Sequence, residues 1–110
     1  MNNQTEQNQP FNQILLQAID DALTAIGGST KNWIYHLLSK QKGITRDQIP
    51  DKMEELHLTL ESIFGAGTSH IEVYLIALLE SRVNVKCPTT LKGKTMGDWV
   101  VFLRQEYEKQ

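Results

Sequence analysis

Thr68-Ser69-His70-Ile71-Glu72-Val73-Tyr74-Leu75-Ile76-Ala77-Leu78-Leu79-Glu80 is the stretch on which the fold turns. Its apolar residues, Ile71 and 73–79, fall almost all round a helical circumference instead of along one stripe. A helix of that kind is either the central one of a bundle or lies at a subunit interface. Thr68 or Ser69 is placed to cap its start by accepting a hydrogen bond from a free backbone amide. If it lies at an interface between copies, Ile71, Tyr74, Leu75 and Leu78 are the candidate contacts, since they share one side at helical spacing.

Toward the N-terminus, Gly65 and Gly67 bracket the exit of another helix, from about 51 to 64. Met53, Leu56, Leu60, Ile63 and Phe64 form its expected buried stripe, with Asp51 and Glu54 near the positive end of the helix dipole. Pro50 disfavours helical backbone at Ile49, so the short turn 46–49 should end there. A helix capped by Ser29 or Thr30 precedes it, with Trp33, Ile34, Leu37 and Leu38 as its apolar face and Gly43 as its stop. Before that, Phe11, Leu15, Ile19, Ala22 and Ile26 recur with the 3.6-residue period, and Ile14, Leu16 and Leu23 widen the stripe. Pro10 suits this helix's entrance, where its missing amide hydrogen costs nothing. Gly27-Gly28 should end it through a left-handed glycine. Residues 1–10 are Asn/Gln-rich and have almost nothing to bury, which predicts a disordered tail.

Toward the C-terminus, a polar, basic connection containing Pro88 leads to a last helix over about 95–109. Thr95 with Asp98 makes a loose capping box, and Met96, Trp99, Val100, Leu103 and Tyr107 lie at helical spacing. Residues 84–87 have some strand character but no second strand to pair with. The expectation is an all-α compact bundle of about five helices, residues 11–110 as a single domain behind the tail. At 110 residues the chain has room for one core.

Charge and thiol content narrow the function. A formal charge of −2 exerts no global pull on nucleic acid or anionic membrane. The single cysteine, Cys87, excludes an intramolecular disulfide and suits a reducing compartment. With Lys86 its only cationic neighbour in sequence, Cys87 is expected to be passive. The N-terminus lacks the basic start and apolar stretch of a secretory signal. The longest uninterrupted apolar run, 73–79, is far short of the about 20 residues that span a bilayer. A cytoplasmic location is expected.

The net charge conceals blocks. Residues 29–46 carry Lys31, Lys40, Lys42 and Arg46 without an acid; residues 47–80 carry seven acids against Lys52; residues 82–94 carry Arg82, Lys86, Lys92 and Lys94 without an acid. These eight cations are the candidate contacts for a partner or for nucleic acid. The second reading gains from residues 38–63, whose helix, short turn and longer helix have the outline of a helix-turn-helix reader. It loses because the would-be recognition helix carries Asp51, Glu54, Glu55 and Glu61, and phosphate contacts need cations.

Tests for chemistry find near-misses. Gly93-Lys94-Thr95 has the end of a phosphate-binding P-loop, but the motif needs glycine where Pro88 stands. Gly65-Ala66-Gly67-Thr68 is a fragment of a dinucleotide pattern without a surrounding βαβ unit. His36, His57 and His70 fall on three helices. His57 and Glu61 share a face at i, i+4, yet two ligands are too few for a structural zinc site. No catalytic residue, cofactor or metal is therefore expected.

Leu38-Ser39-Lys40-Gln41-Lys42-Gly43-Ile44, Ile49-Pro50 and Leu60-Glu61-Ser62-Ile63-Phe64-Gly65-Ala66-Gly67 resemble a known family. It is the small helical output domain of archaeal signalling proteins, the Nitrosopumilus output domain, type five, and the likeness covers about 14–83. The resemblance implies a non-enzymatic signal-transduction module without catalytic residues, leaving the 95–109 helix as an addition. The expected function is a regulatory or protein-interaction module, with a protein partner and a homodimer as one form of it. A nucleic-acid-binding regulator using 31–46 and 82–94 is the alternative.

Overall fold

A computed structural model describes residues 3–88 and 94–110, with side chains from Pro10 onward. Among these the chain forms five α-helices and no strand: α1 Asn3–Ile26, α2 Thr30–Lys42, α3 Met53–Phe64, α4 Thr68–Val83 and α5 Met96–Glu108. Short 3-10 turns, Arg46–Asp51 and Gly65–Gly67, precede and follow α3. The shortest dimension is 21 Å, two helix layers thick. α4 is the central element and packs most extensively on α1 and then on α5.

The core follows the predicted stripes. α1 buries Phe11, Leu15, Ile19, Ala22 and Leu23, α2 buries Ile34 and Leu38, and α3 buries Met53, Leu56 and Leu60. α4 contributes Leu75, Ile76, Leu79 and Val83, and α5 contributes Met96, Val100 and Leu103. Each of these side chains larger than alanine stabilises the fold by roughly 1.5–3 kcal/mol. The ends of the fold meet here, where the Phe11 ring lies 5.8 Å from that of Tyr107 and beneath the Arg104 guanidinium at 5.0 Å.

Several expectations change. Met1 and Asn2 of the expected tail lie outside the described residues, and Pro10 sits inside α1, whose bounds begin at Asn3. Phe11, fully buried, is where described packing begins. Gly27 and Gly28 end α1 without positive φ; the left-handed exits are Gly43 after α2 and Asn84 after α4. The turn after Thr45 runs through Pro50 to Asp51, because a 3-10 turn tolerates the missing amide there, and α3 starts at Met53. Neither Ser29 nor Thr68 caps by its side chain; Gly67 is the N-cap of α4, and the buried Thr68 hydroxyl has no partner. Trp33 and Ile63 are exposed instead of buried, so their stripes are narrower than periodicity suggests. The Thr95–Asp98 capping box forms in both directions at 3.2 Å.

Gly65 shapes the centre of the molecule. Its φ of 53° with ψ of −123° is a backbone region open essentially to glycine alone. Within Met53–Val83 there is a stretch long and apolar enough, by length and composition, to cross a membrane. The break at Gly65 nevertheless divides that segment into helices of 12 and 16 residues, each shorter than a span requires.

Candidate functional site

The all-round apolar character of α4 resolves into two faces. Glu72, Leu75, Ile76, Leu79 and Val83 form the buried stripe at i, i+3, i+4, i+7 and i+11. The exposed positions before Arg82 are Ser69, His70, Val73, Tyr74, Ala77 and Ser81, with His70 the one titratable group among them besides the Tyr74 phenol. Val73 is 58% and Tyr74 46% exposed. Of the four candidate interface residues, only Tyr74 presents itself to solvent. Leu75 is buried at 2% exposure, a correction, because it lies on the stripe facing the core; Ile71 and Leu78 are half-buried against that core. Val73 and Ala77 take their place, and helical spacing from Tyr74 alone does not show which way the helix is rolled.

One member of the buried stripe is a carboxylate. Glu72 reaches across to α3, where its Oε2 lies 2.6 Å from Nδ1 of His57. On its other side, Nε2 of His57 lies 3.8 Å from Glu61 Oε2, one turn on in the same helix. The hydrogen bond to Glu72 outweighs burial and raises the His57 pKa, with the charges of Glu72, Glu61 and Glu54 adding to it. A carboxylate that orients one ring nitrogen is half of a nucleophile-activating arrangement. The other nitrogen faces Glu61, and among the described residues no hydroxyl or thiol is hydrogen-bonded to it. Nor do they hold any group of three or more His, Cys, Asp or Glu placed to bind a metal. Glu72 and His57 are both candidates on sequence grounds, but their pairing is not legible there because they lie 15 positions apart.

The basic candidates scatter in their environments. Arg46 donates to Asp20, with Nη2 at 2.6 Å from Oδ2, and the same carboxylate accepts the Tyr35 hydroxyl at 2.5 Å. Burial opposes the Asp20 charge, but these two hydrogen bonds outweigh it and hold the carboxyl below its usual range. Burial and the Asp20 acceptor push the Tyr35 phenol up. Arg82 pairs with Asp21 at 2.6 Å and Lys42 with Glu55 at 2.7 Å. Lys31 is half-buried, Lys40, Lys86 and Lys94 are exposed, and Lys92 lies outside the described residues. The blocks thus contribute three of their arginines and lysines to bridges that join α1 to the 46–51 turn and to α4, and α2 to α3. Cation and acid blocks that alternate along the sequence meet one another in the fold.

Three further features lie apart from this pair. Cys87 donates its backbone amide to Glu80 Oε2 at 2.7 Å, and burial, with the nearby Glu80 charge, pushes its thiol up to about 11. An open cleft of about 580 Å³ between α1 and α4 is lined by Pro10, Gln13, Ile14, Gln17, Asp21 and Arg82. Its two charged groups satisfy each other. Trp33, at 53% exposure, stacks on His36 with ring centroids 6.1 Å apart.

No family model matches the chain, and no curated protein or solved structure does either.

Proposed function

We propose that this chain is a non-enzymatic regulatory module that works by binding another protein, with the outward face of α4 as its contact surface. One observation carries the reading. Val73, Tyr74 and Ala77 stand exposed on a face that no exposed charged residue interrupts between His70 and Arg82, in a chain where 22% of residues are charged. Protein interfaces are depleted of charge at their centre and enriched in aromatic side chains such as tyrosine. The engagement of Arg46, Arg82 and Lys42 by carboxylates of the same chain supports a protein over a phosphate backbone as partner. The resemblance of 14–83 to a signalling output domain fits a cytoplasmic role downstream of a sensor. A second copy of the chain is one candidate partner.

Sedimentation across a concentration series, together with cross-linking capture from cell extract, tests this with the wild type and Tyr74→Arg. The arginine stands on the exposed face, so the fold tolerates it while the contact does not. Association lost in the variant supports the reading. Identical association by both proteins, or salt-sensitive binding to duplex DNA with no protein partner, overturns it.

A further inference from the structure

We propose that His57 and Glu72 form a pH-sensitive clamp that holds α3 against α4 across the Gly65 hinge. The geometry has three parts. Gly65 changes the chain direction between the two helices in a conformation that only glycine adopts readily. The clamp sits beyond it on both sides, His57 eight positions before and Glu72 seven after, and closes with Nδ1 to Oε2 at 2.6 Å. Beside it in sequence, the Thr68 hydroxyl at the first turn of α4 is buried without a partner, so the junction already holds one polar group that gains from opening to water.

Glu72 makes the clamp directional. It is 7% exposed, and His57 is its cationic neighbour when protonated. The imidazole faces Glu72 from α4 and Glu61 and Glu54 from its own helix. Lys31 and Lys40 of α2 and Asp51 of the 46–51 turn are not among the charges that act on His57, and several others on the elements against α3 are engaged elsewhere. In α2, Lys42 is held by Glu55; in the 46–51 turn, Arg46 is held by Asp20 and Asp47 by Thr45; in α5, Asp98 is held by Thr95 and Arg104 by Asn12. Protonated His57 therefore answers an acidic cluster and no opposing cation. The closed state binds the proton more tightly than the open one, so the clamp is complete below the ordinary imidazole range near 6.5. It weakens as pH rises through the raised value of the closed state, leaving Glu72 buried beside a neutral ring.

Native-state hydrogen exchange between pH 5.5 and 8.5 tests the clamp, with rates corrected for intrinsic base catalysis. The reporters are the amides of Gly65 and Thr68, which bond the carbonyls of Glu61 and Gly65. In the wild type their opening constant should rise severalfold with pH, while core amides of α1 stay unchanged. Glu72→Gln should abolish that slope, and a His36→Gln/His70→Gln variant should keep it. A flat wild-type profile overturns the proposal, as does a slope that survives in Glu72→Gln or vanishes with His36 and His70. If Glu72→Gln does not fold, the wild-type slope and the His36/His70 control decide the question.

Discussion

Glu72 on α4 and His57 on α3 bring a carboxylate oxygen and a ring nitrogen to 2.6 Å on a stripe that α4 continues with Leu75, Ile76, Leu79 and Val83. Removing one partner of such a pair costs more than replacing the whole by hydrocarbon, because it leaves a buried charge uncompensated. His57→Ala should lower stability by about 1–3 kcal/mol in urea unfolding at pH 6, reduced from the fully buried case because His57 is one-third exposed. The double variant His57→Leu/Glu72→Leu should recover most of that loss. A double variant less stable than His57→Ala would show that the pair contributes net stability.

Asp20 is the acceptor shared by Tyr35 and Arg46, joining α1 to α2 and to the 46–51 turn. Asp20→Ala should cost about 1–3 kcal/mol near neutral pH. The sign with pH is opposite to that of His57. A carboxyl held below its ordinary value contributes stability above the unfolded value, and the contribution disappears as pH falls through the folded one. The wild type and Asp20→Ala should therefore converge in stability in acid, which denaturant titrations from pH 7 down to pH 3 would read.

Gly65 and Gly28 separate conformation from space. An added Cβ meets no atom within 4 Å at either position, but only Gly65 has positive φ. Gly65→Ala should destabilise by about 1–3 kcal/mol, whereas Gly28→Ala should be neutral or stabilise by up to about 1 kcal/mol. Thermal unfolding of the two variants checks the contrast.

Adjacent residues on α4 should behave in opposite ways. Tyr74→Ser should leave stability within about 0.5 kcal/mol of wild type, since the ring is half-exposed. Leu75→Ala should cost about 2–5 kcal/mol by opening a core cavity. Only the first should report on partner binding.

Cys87, its thiol pushed up to about 11, holds little thiolate at neutral pH. Its alkylation by iodoacetamide at pH 7.5 should be slower than that of free cysteine and should reach the free rate once the protein is unfolded in urea.

The stripes at 3.6-residue period, the stops at Gly43 and Gly65 and the Thr95–Asp98 box were legible without coordinates, because each depends on residues within a few positions of one another. α1 through α5 and most of the core follow from them. The roll of each helix did not. Trp33 and Leu37, or Ile63 and Leu60, are equally apolar on paper, and only the positions of neighbouring helices decide which are covered.

The same division holds for the candidate surface and the clamp. The residues of 68–80 by themselves determined that α4 is apolar on nearly every side, which left central helix and interface helix as equal readings. Tertiary packing assigned Leu75, Ile76 and Leu79 to the core and left Val73, Tyr74 and Ala77 outside. It also turned alternating charge blocks into bridges such as Arg46–Asp20 and set Glu72 against His57, 15 positions away. Local chemistry is written in neighbouring residues. A contact between distant ones exists only once the chain has turned at Gly65 and packed.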